Sequence, residues 1–247
     1  MNAEYKKLID KISGAKYITA LTGAGLSSVS GIPHFRGEYN PIWDKFPQDK
    51  VFDIDYFSEN PQLFFDFLRE ILHKEYQPNT AHRVFRHLED SGSLKAVITQ
   101  NIDGLHQLAG SKKVYELHGS IYENYCVKCG AEIPYGEFIK KVYKEKVPKC
   151  ICSGVIRPRV VFYKEQLPEE DLNMSVFHSS KSDLMIVVGT SLAVQPAAYM
   201  PSHVLNNGGE LILINKGETY IDDRAALKFE NIEEVFSALA EFYEINI

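Results

Sequence analysis

Short runs of branched apolar residues punctuate the chain, at positions 18–21, 96–99, 114–117, 160–163, Leu184–Val188 and Glu210–Ile214. Most are continuous and do not alternate with polar residues, the pattern of strands buried on both faces of a parallel sheet. Helical spacing fills the intervals. Residues 80–88 follow Pro78-Asn79, with Asn79 a plausible cap, and residues 231–243 are amphipathic. The alternation predicts an α/β fold, a doubly wound, Rossmann-like parallel sheet. Two segments break the rhythm. Residues 37–78 hold no core strand but predict a helix over 58–73, where Phe64, Phe65, Phe67 and Leu68 cluster. Residues 123–154 hold all four cysteines and a lysine-rich helix. These two insertions are expected to build a smaller domain, and segments 1–36, 79–122 and 155–247 the larger one.

Composition narrows the classes without choosing one. A chain of 247 residues, 45% hydrophobic and 24% charged, is long enough for a large core and too apolar for disorder. Its net charge of −6 disfavours nucleic acid and anionic membranes as partners. The longest uncharged run, 184–202, is broken by Gly189, Pro196 and Pro201, so it reads as strand, loop and helix start and not as a membrane span. The first residues lack the apolar core of a signal peptide, and the expected location is cytoplasmic.

Candidate chemistry gathers where strands end. The 18–21 run leads into Gly23-Ala24-Gly25-Leu26-Ser27-Ser28, then Gly31-Ile32-Pro33-His34-Phe35-Arg36. A strand, small residues and a helix start suit a phosphate site, although Ser28 stands where a dinucleotide fingerprint has its third glycine and an ordinary tight turn gives the same pattern. Gln100-Asn101-Ile102-Asp103 follows the second strand and Glu116-Leu117-His118-Gly119 closes the third. The first is a capped loop or a grip for carboxamide and ribose groups. His118 is a strand-end structural histidine or a general base. The other histidines, including His82 and His106 on helical patterns, read as structural. Gly189-Thr190-Ser191 and Asn215-Lys216 again follow apolar strands. Cys126-x-x-Cys129, twenty residues, then Cys150-x-Cys152 fits a four-thiolate structural zinc, with a redox pair or buried thiols as alternatives.

Four of these segments, in this order and with a cysteine quartet between the third and the fourth, resemble the zinc-bearing, bacterial-type sirtuins, which are NAD-dependent protein-lysine deacetylases. The resemblance runs from about residue 10 to the C-terminus. It implies an NAD-binding larger domain, with NAD+ as co-substrate and Zn2+ as a structural ion. It implies that Gly23, Ala24, Gly25, Ser28, Phe35, Arg36, Gln100, Ile102, Gly189, Thr190, Ser191, Asn215, Lys216 and Ile232 hold the cofactor. Asn101 and Asp103 would line the nicotinamide pocket, with Asn101 ordering water beside the reacting sugar. The acetyl-lysine protein substrate would lie along Val160, Val161, Phe162 and Tyr163 by strand addition. The acetyl oxygen would attack the nicotinamide ribose, nicotinamide would leave, and His118 would deprotonate a ribose hydroxyl. Water would finish the reaction to lysine and O-acetyl-ADP-ribose.

Three departures stand out. His34 occupies a position where the family usually carries Asp. Cys150 and Cys152 are separated by one residue where two are usual. Tyr163-Lys164-Glu165 stands where Phe-Gly-Glu is common. Sirtuins that remove succinyl groups grip the acyl carboxylate with Tyr and Arg, and the matching positions here are Phe65 and Leu68, so acetyl or a longer apolar acyl is expected. Mono-ADP-ribosyl transfer uses the same pocket and stays open as an alternative. A zinc-ribbon module contacting nucleic acid through its lysines is the alternative of another class. A dehydrogenase is disfavoured, because Glu38 and Asp44 fall in a loop-like region and do not close a second strand.

Overall fold

The structure, a computed structural model, describes residues 3–34 and 39–245. Its strands are β1 (Ile18–Thr22), β2 (Leu94–Thr99), β3 (Val114–Glu116), β4 (Gly119–Cys126), β5 (Glu132–Ile133), β6 (Ile156–Val160), β7 (Leu184–Val188), β8 (Glu210–Ile214) and β9 (Leu227–Phe229). Six of them form a parallel sheet in the order β3-β2-β1-β7-β8-β9. This is the doubly wound order. The winding reverses between β1 and β7, and in such sheets a crevice opens at the strand ends there. Both strands are buried at every position, so their sequences do not alternate.

Helices cover both faces. On one, Leu8 and Ile12 of helix Ala3–Gly14, Val84 and Phe85 of helix Thr80–Asp90, and Phe236 and Leu239 of helix Ile232–Phe242 pack on Ile18, Val97 and Ile186. Met200 and Val204 join Leu21, Ile98 and Val187 on the other. Asn79 caps its helix as the sequence indicated, and Asn231 caps another. Asn79 Oδ1 accepts the Ala81 N–H at 3.0 Å, and Asn231 Oδ1 accepts the Glu234 N–H at 3.1 Å. No helix among the described residues is long and apolar enough to cross a membrane.

Three expectations need correction. Residues 160–163 are not a strand of the parallel sheet. The strand there is Ile156–Val160, antiparallel to β4 in a second, three-stranded sheet of order β5-β4-β6, and Tyr163 makes only an isolated bridge to Asp53. The apolar pattern misled because Arg157, 2% exposed, lies inside the strand as a buried charge. The sixth parallel strand is instead β9, three residues at the sheet edge with an exposed Lys228, too short to show a pattern. The helix expected over 58–73 is two, Ile54–Glu59 and Pro61–Leu72, because Pro61 has no N–H to continue the first.

The second sheet also draws segments 119–122 and 156–160, assigned from sequence to the larger part, against the cysteine segment. Beside it lies a separate aromatic core of Phe46, Phe52, Phe57, Phe64, Phe65, Phe67, Phe138 and Phe162. Phe162 meets Phe57 edge-on at 5.2 Å and Phe64 at 5.1 Å, which fastens segment 161–163 to the helical insertion.

Candidate active site

The ends of β1 and β7 lock together through three glycines. Gly23 donates its N–H to the Val188 carbonyl at 3.0 Å, and Gly25 to the Gly189 carbonyl at 2.9 Å. A Cβ on Gly23 would lie 2.8 Å from the Gly189 oxygen, and one on Gly25 2.8 Å from the Gly189 Cα. Gly189 itself has φ +61, and a Cβ there would meet the Leu26 nitrogen at 2.3 Å. Side chains at these three positions would clash with the facing backbone, and the Gly23 and Gly25 amides are spent on protein carbonyls, so these glycines let the ends of β1 and β7 meet. The helix that follows, Ala24–Ser28, has five residues and little summed dipole, and the Ser28 hydroxyl turns back to the Gly25 carbonyl at 2.8 Å.

The loop after β2 is fastened to this junction. Gln100 Nε2 donates to Thr190 Oγ1 at 2.8 Å. Asn101 Nδ2 donates to the Gly23 carbonyl at 3.1 Å and to Ser27 Oγ at 2.9 Å. Ser27 in turn donates to Asp103 Oδ2 at 2.6 Å, and the Leu105 N–H reaches Asp103 Oδ1 at 2.9 Å. Burial pushes the Asp103 carboxyl up from the usual carboxylate value, against the pull of those two hydrogen bonds. Ser27 joins the two motifs, and sequence reasoning passed over it. It sits between the residues that mark the glycine run, and only the fold brings Asn101 and Asp103 beside it.

His118 follows β3. Its Nδ1 lies 2.9 Å from the Gln100 carbonyl oxygen. A carbonyl only accepts, so Nδ1 carries the proton and Nε2 is the basic nitrogen of the neutral ring. Gly119 packs against the backbone of β6. It has φ +72, and a Cβ there would lie 1.8 Å from the Arg159 carbonyl oxygen, so it lets β6 cross close behind the histidine. The motif divides between two hollows. His118 lines the main cleft, whereas Glu116 lines a separate cavity of about 600 Å³, where burial pushes its carboxyl up to about 7 against hydrogen bonds from Gln107 and Ser120.

Segment 160–163 forms the opposite wall. The N–H groups of Val161, Phe162 and Tyr163 donate to the His118 carbonyl, Glu165 Oε2 and the Phe52 carbonyl at 2.9, 2.7 and 2.7 Å. These three amides are spent within the protein, so a peptide laid along this segment would have to pair with its carbonyls. Arg157 holds the wall from behind, paired with both oxygens of Glu165 at 2.9 Å and stacked 3.9 Å over the Phe162 ring. Lys164, at φ +76, reaches Asp53 at 2.8 Å and Asp55 at 2.6 Å.

One cleft of about 1430 Å³ unites these elements. Gly23, Ala24, Gly25, Ser28, Gln100, Asn101, Ile102, Asp103, His118, Gly189, Thr190, Ser191, Asn215, Lys216, Ile232 and Val160 to Tyr163 all line it. Phe35 and Arg36 lie outside the described residues. Leu68 lines the cleft, but Phe65 is fully buried in the aromatic core and does not. Ile121, Tyr122 and Tyr135 also line it and were not anticipated, since no motif marks them. The volume exceeds that of ordinary small-molecule pockets, about 300–1,000 Å³, and its amide, hydroxyl and carboxyl lining fits a dinucleotide with a peptide alongside.

The four cysteine sulfurs lie within 4.8 Å of one another. Cys126 and Cys152 are 3.4 Å apart and Cys129 and Cys150 3.8 Å, too long for disulfides and close to the roughly 3.8 Å edge that tetrahedral Zn–S bonds of about 2.3 Å require. The donor set fits zinc with no position left for catalysis. Single-residue spacing is accommodated by Ser153 at φ +67 and by Gly154, where a Cβ would lie 2.6 Å from Cys126 Sγ.

Residues 23–196 match the Sir2 family. The chain is 46% identical over 227 residues to an NAD-dependent protein deacetylase of Thermotoga maritima, covering 91% of this chain and 92% of that protein. A solved Sir2 complex with a p53 peptide and NAD+ superimposes with a TM-score of 0.89 at 42% identity, covering all of both chains. A Sir2 bound to acetylated peptide gives 0.89 at 41%, again covering all of both.

Proposed function

We propose, on the premise that the chain belongs to the Sir2 family, that it is an NAD-dependent protein-lysine deacetylase. The observation that carries this reading is the His118 Nδ1 bond to the Gln100 carbonyl, which presents a basic Nε2 in the cleft that Asn101, Asp103, Thr190 and Val160 to Tyr163 share.

NAD, when bound, supplies an activated ribose that loses nicotinamide and receives the acetyl group. In this reading Gly23, Ala24, Gly25 and Ser28 bound the cofactor at the β1–β7 junction, and Phe35 and Arg36 are assigned to the cofactor by the family resemblance alone. Thr190, Ser191, Asn215, Lys216 and Ile232 hold the adenosine half, and Gln100, Asn101, Ile102 and Asp103 the nicotinamide half. His118 accepts a ribose hydroxyl proton at Nε2, with the Gln100 carbonyl holding Nδ1–H and steadying the cation that forms. Phe162 and the aromatic core behind it keep water from the reacting sugar. The acyl-lysine enters between segment 160–163 and the loop after Gly189. Leu68, Phe67 and Ile71 leave that end of the cleft apolar, which supports acetyl over succinyl. Cys126, Cys129, Cys150 and Cys152 hold the zinc, and their thiols fit a reducing, cytoplasmic compartment.

The test is nicotinamide release from NAD with and without an acetyl-lysine peptide. The parent protein should release it only with peptide, and His118→Ala should lose deacetylation by about 10²-fold or more. Release that leaves ADP-ribose attached to the acceptor would instead identify mono-ADP-ribosyl transfer. No peptide-dependent release with any acyl group tried would overturn the reading.

A further inference from the structure

Two histidines left unused by the site described above are buried near the base of the Asn101 loop. His82 is fully buried and His106 is 2% exposed, and their ring centroids are 4.7 Å apart. Each has one buried nitrogen without a partner, Nε2 of His82 and Nδ1 of His106. Orphaned polar atoms at such depth are costly, so their placement side by side calls for a reason.

The hydrogen bonds around them fix both tautomers. The Asn79 N–H donates to His82 Nδ1 at 3.2 Å, so the His82 proton is on Nε2. The Thr22 hydroxyl gives its single proton to Thr99 Oγ1 at 2.9 Å. His106 Nε2, 3.0 Å from the same Thr22 oxygen, must therefore be the donor, and its Nδ1 is a bare acceptor. The two orphans are thus complementary, an N–H on His82 and a lone pair on His106. Reversing the threonine pair would set two N–H groups against each other, so a direct bond between the orphans, made by a small ring rotation, requires this arrangement. The string then continues. Thr99 Oγ1 also accepts the backbone N–H of Asn101 at 3.0 Å. Burial lowers both imidazole pKa values, that of His82 to about 4, in keeping with two neutral rings.

We propose that His82 and His106 are positioning residues for the deacetylation site: a string from the Asn79 amide through His82, His106, Thr22 and Thr99 sets the Asn101 amide, and with it the loop that carries Gln100, Asn101 and Asp103. This rests on the reading of that loop given above. Only Thr99 in the string touches Asn101, and neither histidine lines the cleft. A capping role explains His82 Nδ1 alone. It leaves unexplained why the ring packs against a second histidine, also with one orphaned nitrogen, whose other nitrogen is tied to the strand end from which the Asn101 loop springs.

The experiment has three arms. Long-range proton–nitrogen NMR of the histidine-labelled protein should show both rings neutral and Nε2-protonated at pH 7. An Nδ1-protonated or charged ring at either position overturns the string, whether or not the protein is active. Thr22→Val, which keeps the side-chain shape, should speed hydrogen exchange of the Asn101 amide and cut kcat/KM for NAD by about tenfold to a hundredfold, with the peptide KM unchanged. His106→Leu should do the same, and His106→Gln, which keeps a donor near the Nε2 position, should recover most of that loss. Parent-like exchange in folded Thr22→Val, or equal losses in His106→Leu and His106→Gln, would overturn the proposal. If the parent shows no deacetylation the functional reading fails by itself, and the tautomer and exchange arms still decide the string.

Discussion

Glu165→Ala tests the physical account of the substrate wall most directly. The Arg157 side chain is 3% exposed and that of Glu165 26%, and the pair is bidentate at 2.9 Å. A guanidinium cannot shed its proton at this depth, so removing the carboxylate leaves an unbalanced charge stacked on Phe162. Carbonyls of Pro158 and Val160 remain to accept from it but carry no compensating charge. Breaking a buried pair from one side costs about 3–5 kcal/mol, and water reaching one edge of Glu165 places the cost near the lower end, about 3 kcal/mol. The Phe162 N–H also loses its 2.7 Å acceptor. In a chain of this size each kcal/mol moves the unfolding midpoint by about 2–4 °C, so the drop should be about 6–12 °C. Thermal unfolding followed by circular dichroism reads it, and initial rates at varied peptide should show a raised peptide KM with little change in NAD affinity. Because the penalty belongs to the orphaned charge, Arg157→Met with Glu165→Leu should regain most of the loss. A midpoint within about 2 °C of the parent for Glu165→Ala, or a double variant no more stable than the single one, would refute the reasoning.

Three further outcomes are expected. Gly119→Ala drives a Cβ into the Arg159 carbonyl at positive φ and should cost about 3 kcal/mol or more, so denaturant unfolding showing parental stability would contradict the contact. Titrating the thiols with a mercurial should release one zinc per chain and lower the unfolding midpoint, whereas a fully stable protein with negligible zinc would remove the metal from the cysteine cluster. For Glu116 the sign follows from a carboxyl that keeps its proton up to about 7 when folded and loses it near 4.5 when unfolded. The parent therefore loses stability as pH rises through that window, by about 2–3 kcal/mol after allowing for partial solvent access, and Glu116→Gln does not. The stability gap between the two should widen from about pH 4.5 to 7 and then level off. A gap independent of pH would show that Glu116 titrates normally.

Local patterns were sufficient for much of this protein. Continuous apolar runs gave β1, β7 and β8 because burial on both faces leaves no polar positions to alternate. Asn79 marked a helix start because a side-chain amide satisfies the first turn wherever it stands. The cysteine spacing announced a metal cluster because zinc imposes its geometry on any chain that meets it. What sequence could not carry were contacts made across the fold. Arg157 disguised a strand because its partner Glu165 lies beyond the strand end, and β9 was too short to have a period. The glycines at 23, 25, 119 and 189 were legible as special, but part of the reason was not: each absent side chain makes way for another backbone segment. Ser27 and the His82–His106 pair acquire roles only when β1, β2 and helix Thr80–Asp90 converge. Hydrogen bonds between residues tens of positions apart leave no periodic trace, since their energy depends on direction and burial, and only the tertiary structure supplies those.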